Sequence, residues 1–297
     1  MKKPAAGFVR NVAAGFSPAI ETQKSCPAQA GLYPRLAALP NSKIPRLFRA
    51  WPRVVARLRR AKRVILFLDF DGTLVEYRSR PQDVMLPAPA RAALARLACR
   101  PNLSVFLISG RRRADLERRA RVPGVRYIGL HGWERQGRRS LRAQSRKSLD
   151  HARAAVAEAI DGLPGVWIED KKFSFAVHYR RAPRSAARKA RAVISRLIEG
   201  QPNGLYLLKG DKVIGVLPGE IEGKGQAVLD VLGKKPGGTL ALYAGDDTTD
   251  ETAFAALARR GITILVGPRR NTQARYKVRN PAELISFLQK LQQEMSA

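Results

Sequence analysis

Val64-Ile65-Leu66-Phe67-Leu68-Asp69-Phe70-Asp71-Gly72-Thr73-Leu74 is the stretch on which the reading of this chain turns. Five apolar residues run into two carboxylates that flank one phenylalanine, and Gly72 stops the run. A short β-branched and aromatic run bounded by a turn residue predicts a fully buried strand of the kind found in parallel sheets. Open α/β sheets bind ligands at the carboxyl ends of such strands. Burying two acids there is unfavourable by several kcal/mol unless a cation or hydrogen bonds compensate. The run therefore sets paired anions where a metal and a phosphate can meet. Two blander readings compete. Calcium loops also use Asp-x-Asp-Gly, but they follow a helix and continue with further oxygen ligands and a glutamate; here a strand precedes, and the next acids are only Glu76 and Asp83. A structural Asp-Gly turn is the other, and the strand context favours chemistry over it.

Strand–helix units surround the run. Pro45 to Lys62 predicts a basic helix, and Pro87 to Arg100 a helix with Ala90, Leu94 and Leu97 on one face, ended by Pro101-Asn102. Leu103 to Ile108 predicts a second buried strand ending at Ser109-Gly110-Arg111, then a helix over Arg112 to Ala120 and a strand over Val125 to Leu130 ending at His131-Gly132. The pattern then changes. A helix from Leu149 to Ile160 leads into a hairpin from Val166 to Tyr179; a helix from Pro183 to Ile198 leads into a second hairpin, Leu205 to Leu208 and Val213 to Leu217 around Gly210-Asp211. After Gly223 the first pattern resumes, with helix Lys224 to Leu232, strand Leu240 to Ala244, helix Asp250 to Arg260, strand Ile262 to Val266 and a terminal helix from Pro281. The expected architecture is α/β: a Rossmann-like doubly wound parallel-sheet core of residues 46–137 and 221–297, with an inserted α+β cap module over 138–220. Residues 1–45, rich in Ala, Pro, Gly and basic residues without a sustained period, are expected to form a disordered or loosely attached extension.

Composition narrows the class. At 297 residues the chain can bury a substantial core. Cys26 and Cys99 are the two cysteines, so neither a disulfide framework nor a zinc cluster is on offer. No apolar run approaches the roughly 18 to 20 residues that span a bilayer, and Arg10 interrupts any leader-like stretch, so a cytoplasmic protein without a membrane partner is expected. The net charge of +31 invites a nucleic-acid reading. Residues 1–60 carry twelve Lys and Arg against the single acid Glu21, but elsewhere the arginines are spread through helical stretches, with no RNA-recognition signature, zinc finger or aromatic-interleaved basic patch. Solvated arginine faces that attract anionic substrates fit better than a nucleic-acid partner, and polyanion binding stands as the alternative from a different class. No Gly-rich nucleotide loop supports a kinase. Trp133 and Trp167 are expected in the core rather than as sugar platforms.

Four segments converge if the parallel sheet is right: Asp69-Phe70-Asp71-Gly72-Thr73, Ser109-Gly110-Arg111, Lys224-Gly225 and Gly245-Asp246-Asp247-Thr248-Thr249-Asp250-Glu251. Carboxylates for a hard cation, a hydroxyl and backbone amides for phosphate oxygens, and one lysine suit phosphoryl transfer better than redox or acyl chemistry. In order and kind these segments resemble the haloacid dehalogenase-like phosphatases. The inserted module, with Glu169-Asp170-Lys171 and His178-Tyr179-Arg180, resembles the cap of the trehalose-6-phosphate phosphatase family within them.

That resemblance implies Asp69 as nucleophile and Asp71 as acid and base, with Lys224 neutralising charge. It implies Mg²⁺ as cofactor, held by Asp69, Asp71 (through its carbonyl) and Asp246. Gly72, Thr73, Ser109, Gly110 and Arg111 would contact phosphate, with Thr73 also holding Asp71; Glu169, Lys171 and Arg180 would hold the sugar, and Asp247 and Asp250 would orient waters and Lys224. The implied partner is a phosphorylated disaccharide, with a monomer left open as the simplest assembly. Another sugar phosphate or a glycosyl-glycerol phosphate is the alternative substrate. Members of the family usually end the second hairpin in Glu-x-Arg-Pro; this chain has Gly215-Val216-Leu217-Pro218, with Glu220 and Glu222 as the nearest acids that could compensate.

Overall fold

The computed structural model describes residues 39–40, 43–78, 83–135, 140–199, 204–210, 212–233, 237–269 and 271–295. Six parallel strands form the main sheet: β2 (Arg63–Leu68), β3 (Leu103–Ile108), β4 (Arg126–Ile128), β9 (Thr239–Gly245), β10 (Ile262–Val266) and β12 (Tyr276–Val278), in the order β12-β10-β9-β2-β3-β4. Helices cover both faces, which is why β2 reads as an unbroken apolar run. Leu66 and Leu68 pack with α1 (Trp51–Arg60), α2 (Ala88–Ala98), α3 (Arg113–Ala120) and α8 (Pro281–Glu294). Ile65 and Phe67 pack on the other face with α6 (Lys224–Leu232) and α7 (Glu251–Leu257). From β2 the chain winds outward through β3 and β4; from β9 it winds the opposite way through β10 and β12. The reversal falls between β2 and β9, so the crevice for a ligand opens between Asp69 and Asp246.

Between β4 and α6 the chain builds a second, antiparallel sheet of β5 (Trp167–Asp170), β6 (Phe175–His178), β7 (Leu205–Gly210) and β8 (Val213–Pro218), in the order β5-β6-β8-β7. Helices α4 (Ala143–Ile160) and α5 (Arg184–Ile198) pack on one face through Leu149, Val156, Ala190 and Ile194 against Phe175, Val177, Ile214 and Val216. Strand alternation then sends Glu169, Ala176, Gly215 and Leu208 to the opposite face. They lie in one cross-strand row, Glu169 opposite Ala176, Ala176 opposite Gly215, and Gly215 opposite Leu208.

Three expectations shift. The edge strand β12 has no sequence signal, because Tyr-Lys-Val is too short and too mixed to show a period. Helix α4 starts at Ala143, six residues before Leu149, because its first turns bury little. The loose extension ends earlier than residue 45: β1 (Leu39–Pro40) pairs with β11 (Asn271–Thr272), and Ile44 is buried. The rest of that extension, 1–38 and 41–42, lies outside the described residues. No described helix is long and apolar enough to cross a membrane.

Candidate active site

Asp69 leaves β2 buried, and its Oδ1 accepts a 2.7 Å hydrogen bond from Lys224 Nζ. Lys224 opens α6 and is itself buried; its ammonium also donates to Asp250 Oδ1 at 2.7 Å. Burial alone would lower its pKa, but Asp250 and Asp69 outweigh that and raise it, so the lysine stays charged. Asp250 is saturated. Its Oδ1 also accepts from the Tyr243 hydroxyl at 2.6 Å, and its Oδ2 accepts the backbone N–H groups of Asp246 and Asp247 at 3.1 and 3.0 Å. It fixes both the lysine and the loop after β9.

Asp246 faces Asp69 across the crevice. Thr73 Oγ1 donates to its Oδ1 at 2.9 Å and the Tyr77 hydroxyl to its Oδ2 at 3.0 Å. Gly72 is obligatory there: its φ is +84°, and an added Cβ would stand 2.2 Å from Asp246 Oδ2. Oxygens of Asp69, Asp246 and Asp250 lie within 4.8 Å of one another. Burial and then the Asp250 charge push Asp246 up to about 7; burial first, with Asp250 and Asp246 against Lys224, raises Asp69. Three carboxylates share one ammonium, an excess of negative charge on hard oxygen donors that fits a small divalent cation such as Mg²⁺. Since Asp250 is spent on Lys224, Asp69 and Asp246 are the carboxylates left to hold it.

Asp71 is gripped by Arg111, whose Nε and Nη2 donate to its two oxygens at 2.7 Å each. Arg111 Nη1 reaches Asp115 at 3.0 Å, and Asp115 also takes Arg118 and Arg119 at 2.7 Å each. Burial would raise the Asp115 pKa, but the three guanidinium groups drive it well below the carboxylate range. Ser109 is buried, its Oγ accepting from Arg111 N at 3.1 Å.

The second sheet roofs a cavity of about 210 Å³ above these residues. At its polar end Glu169 Oε2 bonds His178 Nε2 at 2.9 Å and lies 3.6 Å from Lys171 Nζ. Burial pushes Glu169 up, yet His178 and Lys171 hold it down at about 2. Lys171 also donates to Gly110 O at 3.1 Å, and Thr248 Oγ1 to Lys209 O at 3.0 Å, two bonds that tie roof to floor. Arg180 lies 6.0 Å over the Tyr77 ring. Toward β7 the roof turns apolar, through Ala176, Gly215 and Leu208.

The Trehalose-phosphatase family model matches residues 67–282, a span that runs from the end of β2 to the start of α8 and takes in every loop of the site. The chain belongs to the trehalose-phosphatase family. A protein described as trehalose-phosphate phosphatase in Mycobacterium ulcerans is 34% identical over 248 residues, which cover 79% of this chain and 63% of that protein. The chain thus spans less than two thirds of the length of such relatives. A Mycobacterium tuberculosis protein described as an uncharacterized glycosyl hydrolase is 35% identical over 253 residues, 79% of this chain and 19% of that one. The solved C-terminal domain of C. albicans trehalose-6-phosphate phosphatase shares the fold, at a TM-score of 0.73 and 22% identity over 85% of this chain and 99% of that one.

In this member of the trehalose-phosphatase family several side chains do other work than their motif suggests. Thr73 holds Asp246, not Asp71. Arg111 is held by Asp71 and Asp115 and lines the cavity. Asp247 caps the turn Thr248–Asp250 through Thr248 N at 2.6 Å. Trp167 is 46% exposed, stacked on His178 at 4.2 Å, and so is not a core residue, whereas Trp133 is buried. Glu220 accepts the Arg142 N–H at 3.3 Å, and neither it nor Glu222 lines the cavity. Tyr77 and Tyr243, which donate to Asp246 and Asp250, carry no sequence signal, because each is an isolated tyrosine. Asp115 carries a readable signal: Arg118 and Arg119 sit at the i+3 and i+4 positions of α3 that share its face, while Arg111 reaches it from the loop before the helix.

Proposed function

We propose that the protein hydrolyses trehalose 6-phosphate to trehalose and phosphate. The observation that carries this reading is the buried Asp69–Lys224–Asp250 chain with Asp246 opposite, under a roof whose polar end presents Glu169, Lys171 and His178. Residues 46–137 and 221–297 form the core and 138–220 the cap that selects the substrate, in the cytoplasm. Asp69 attacks phosphorus, the bond from phosphorus to the sugar oxygen breaks, and Asp71 delivers a proton to that oxygen. Water then attacks the aspartyl-phosphate, Asp71 takes its proton, and phosphate leaves with Asp69 restored. Bound by Asp69, Asp246 and the Asp71 carbonyl, Mg²⁺ would offset the repulsion between a carboxylate and a phosphate dianion. Lys224 holds the Asp69 carboxylate in place and supplies fixed positive charge. Arg111, itself anchored by Asp115 at 3.0 Å, fixes where the Asp71 carboxylate stands. Ser109, Gly110, Gly72 and Thr73 line or brace the phosphate end, and Glu169, Lys171 and Arg180 the sugar end.

The test is phosphate release from trehalose 6-phosphate with and without Mg²⁺. Wild type is expected to turn over only with the metal, and Asp69→Asn to lose turnover while still unfolding in one cooperative transition. Phosphate release by Asp69→Asn at the wild-type rate would remove the nucleophile from this scheme. The apolar end of the roof, where the family's usual acid is replaced by Gly215, favours including glycosyl-glycerol phosphates in the panel. Preference for one of those compounds would change the sugar and keep the chemistry.

A further inference from the structure

Just past β4, two consecutive non-glycine residues, Leu130 and His131, hold φ values of +47° and +56°. L-residues rarely adopt this region, and it persists where neighbours over-determine it. Here the neighbour is the loop after β3. Leu130 N–H donates to Arg111 O at 2.8 Å and His131 N–H to Ser109 O at 2.9 Å. The turn thereby places the imidazole against Gly110, so close that a Cβ on that glycine would stand 2.6 Å from Cε1 and 2.7 Å from Nε2. The ring lines the same cavity as Asp69, Ser109 and Lys224. Nothing in the scheme above uses it.

Nδ1 is enclosed and has no hydrogen-bond partner among the described residues. Burial, and then the charges of Lys224 and Lys171, push the histidine pKa well below its ordinary value, so the ring is neutral and carries one proton. An enclosed N–H with nothing to donate to is rarer than an enclosed lone pair without a donor. The proton therefore belongs on Nε2, the nitrogen nearer Gly110.

We propose that His131 presents its Nε2–H to a phosphoryl oxygen of the substrate, as an uncharged donor beside the Ser109–Gly110 loop. The assignment rests on the phosphatase reading. An uncharged donor suits this position. It binds the phosphoryl group without adding a further positive charge beside Lys224 and Lys171, and its single proton does not compete with the one Asp71 must deliver. The backbone strain at Leu130 and His131 then has a use, because an extended chain here would not bring the ring against Gly110.

Inorganic phosphate, titrated into the full chain with Mg²⁺ present and followed by calorimetry, is the probe. His131→Asn keeps a side chain that tolerates the left-handed region but removes the donor at the Nε2 position; His131→Gln carries an amide N–H out to it. The Asn variant is expected to bind phosphate roughly tenfold more weakly or worse, as for loss of one hydrogen bond to a charged acceptor, and to raise KM for the phosphate ester more than it lowers kcat. The Gln variant is expected to recover most of the loss. Both place a non-glycine amide in the same backbone region, so their contrast separates a lost donor from a lost fold. Unchanged phosphate affinity in His131→Asn, or equal losses in Asn and Gln, overturns the proposal. A wild-type protein that binds phosphate yet cleaves no phosphate ester fails the phosphatase reading alone, with His131 still judged by the binding contrast; one that binds no phosphate overturns both.

Discussion

Lys224 stands between Asp69 and Asp250 with all three groups buried, so each charge depends on the others for its solvation. Lys224→Met keeps an unbranched apolar stem and removes the ammonium. It is expected to abolish turnover and to destabilise the fold by about 3–5 kcal/mol, the range for stripping one partner from a buried ion pair, read by urea denaturation. A second consequence belongs to Glu169, whose carboxyl is held at about 2 in the fold against an ordinary 4.5. A depressed carboxylate contributes stability that is complete above its unfolded value and disappears as pH falls through its folded one. The stability difference between wild type and Glu169→Gln is therefore expected to be full above pH 4.5 and to fade toward pH 2. A difference that stays constant across that window would show that His178 and Lys171 do not favour the ionised form.

In the cap sheet the row Glu169–Ala176–Gly215–Leu208 passes from charged to small to apolar in four strands. Gly215 is not demanded by its backbone, for it has no positive φ, and the nearest atoms to an added Cβ would be Leu217 Cδ1 at 3.0 Å and Leu208 Cβ at 3.6 Å. Its effect is to leave depth in the roof. Gly215→Val is expected to raise KM for a disaccharide phosphate by about tenfold, roughly the worth of one or two methylene groups in a pocket. Hydrolysis of p-nitrophenyl phosphate, which has no second ring, should stay near the wild-type rate. Equal effects on both substrates would place the damage in the floor and not in the roof. The hairpins themselves were readable from alternation in the sequence, but the row was not. Which residue of β6 faces which of β8 depends on register, and register is set by how the apolar faces of Phe175, Val177, Ile214 and Val216 meet helices α4 and α5.

Across the whole molecule a net charge of +31 surrounds a site that takes a phosphate ester in this reading. Long-range attraction of that kind is screened within about 8–10 Å at physiological salt. The ratio kcat/KM is accordingly expected to fall as salt rises, through KM, while kcat holds; a salt-independent ratio would show that the arginines do not steer substrate. The alternation of β2, β3, β9 and β10 with helices, the insertion between β4 and α6, and the convergence of Asp69, Asp71, Lys224 and Asp246 on one crevice were legible in the chain, because burial on two faces and acids at a strand end leave local marks. The short strand β12, the pairing of Leu39–Pro40 with Asn271–Thr272, and the hydroxyls of Tyr77 and Tyr243 left none. The amino-acid sequence by itself determined the strand that delivers two acids to a crevice, since a fully apolar run ending in Asp-x-Asp-Gly has few other stable uses. Only the tertiary structure decided that Thr73 serves Asp246, that Arg111 locks Asp71, and that a strained turn sets His131 under Gly110. Those are contacts between segments distant in the chain, and hydrogen-bond partners there are fixed by packing and charge balance rather than by any local pattern.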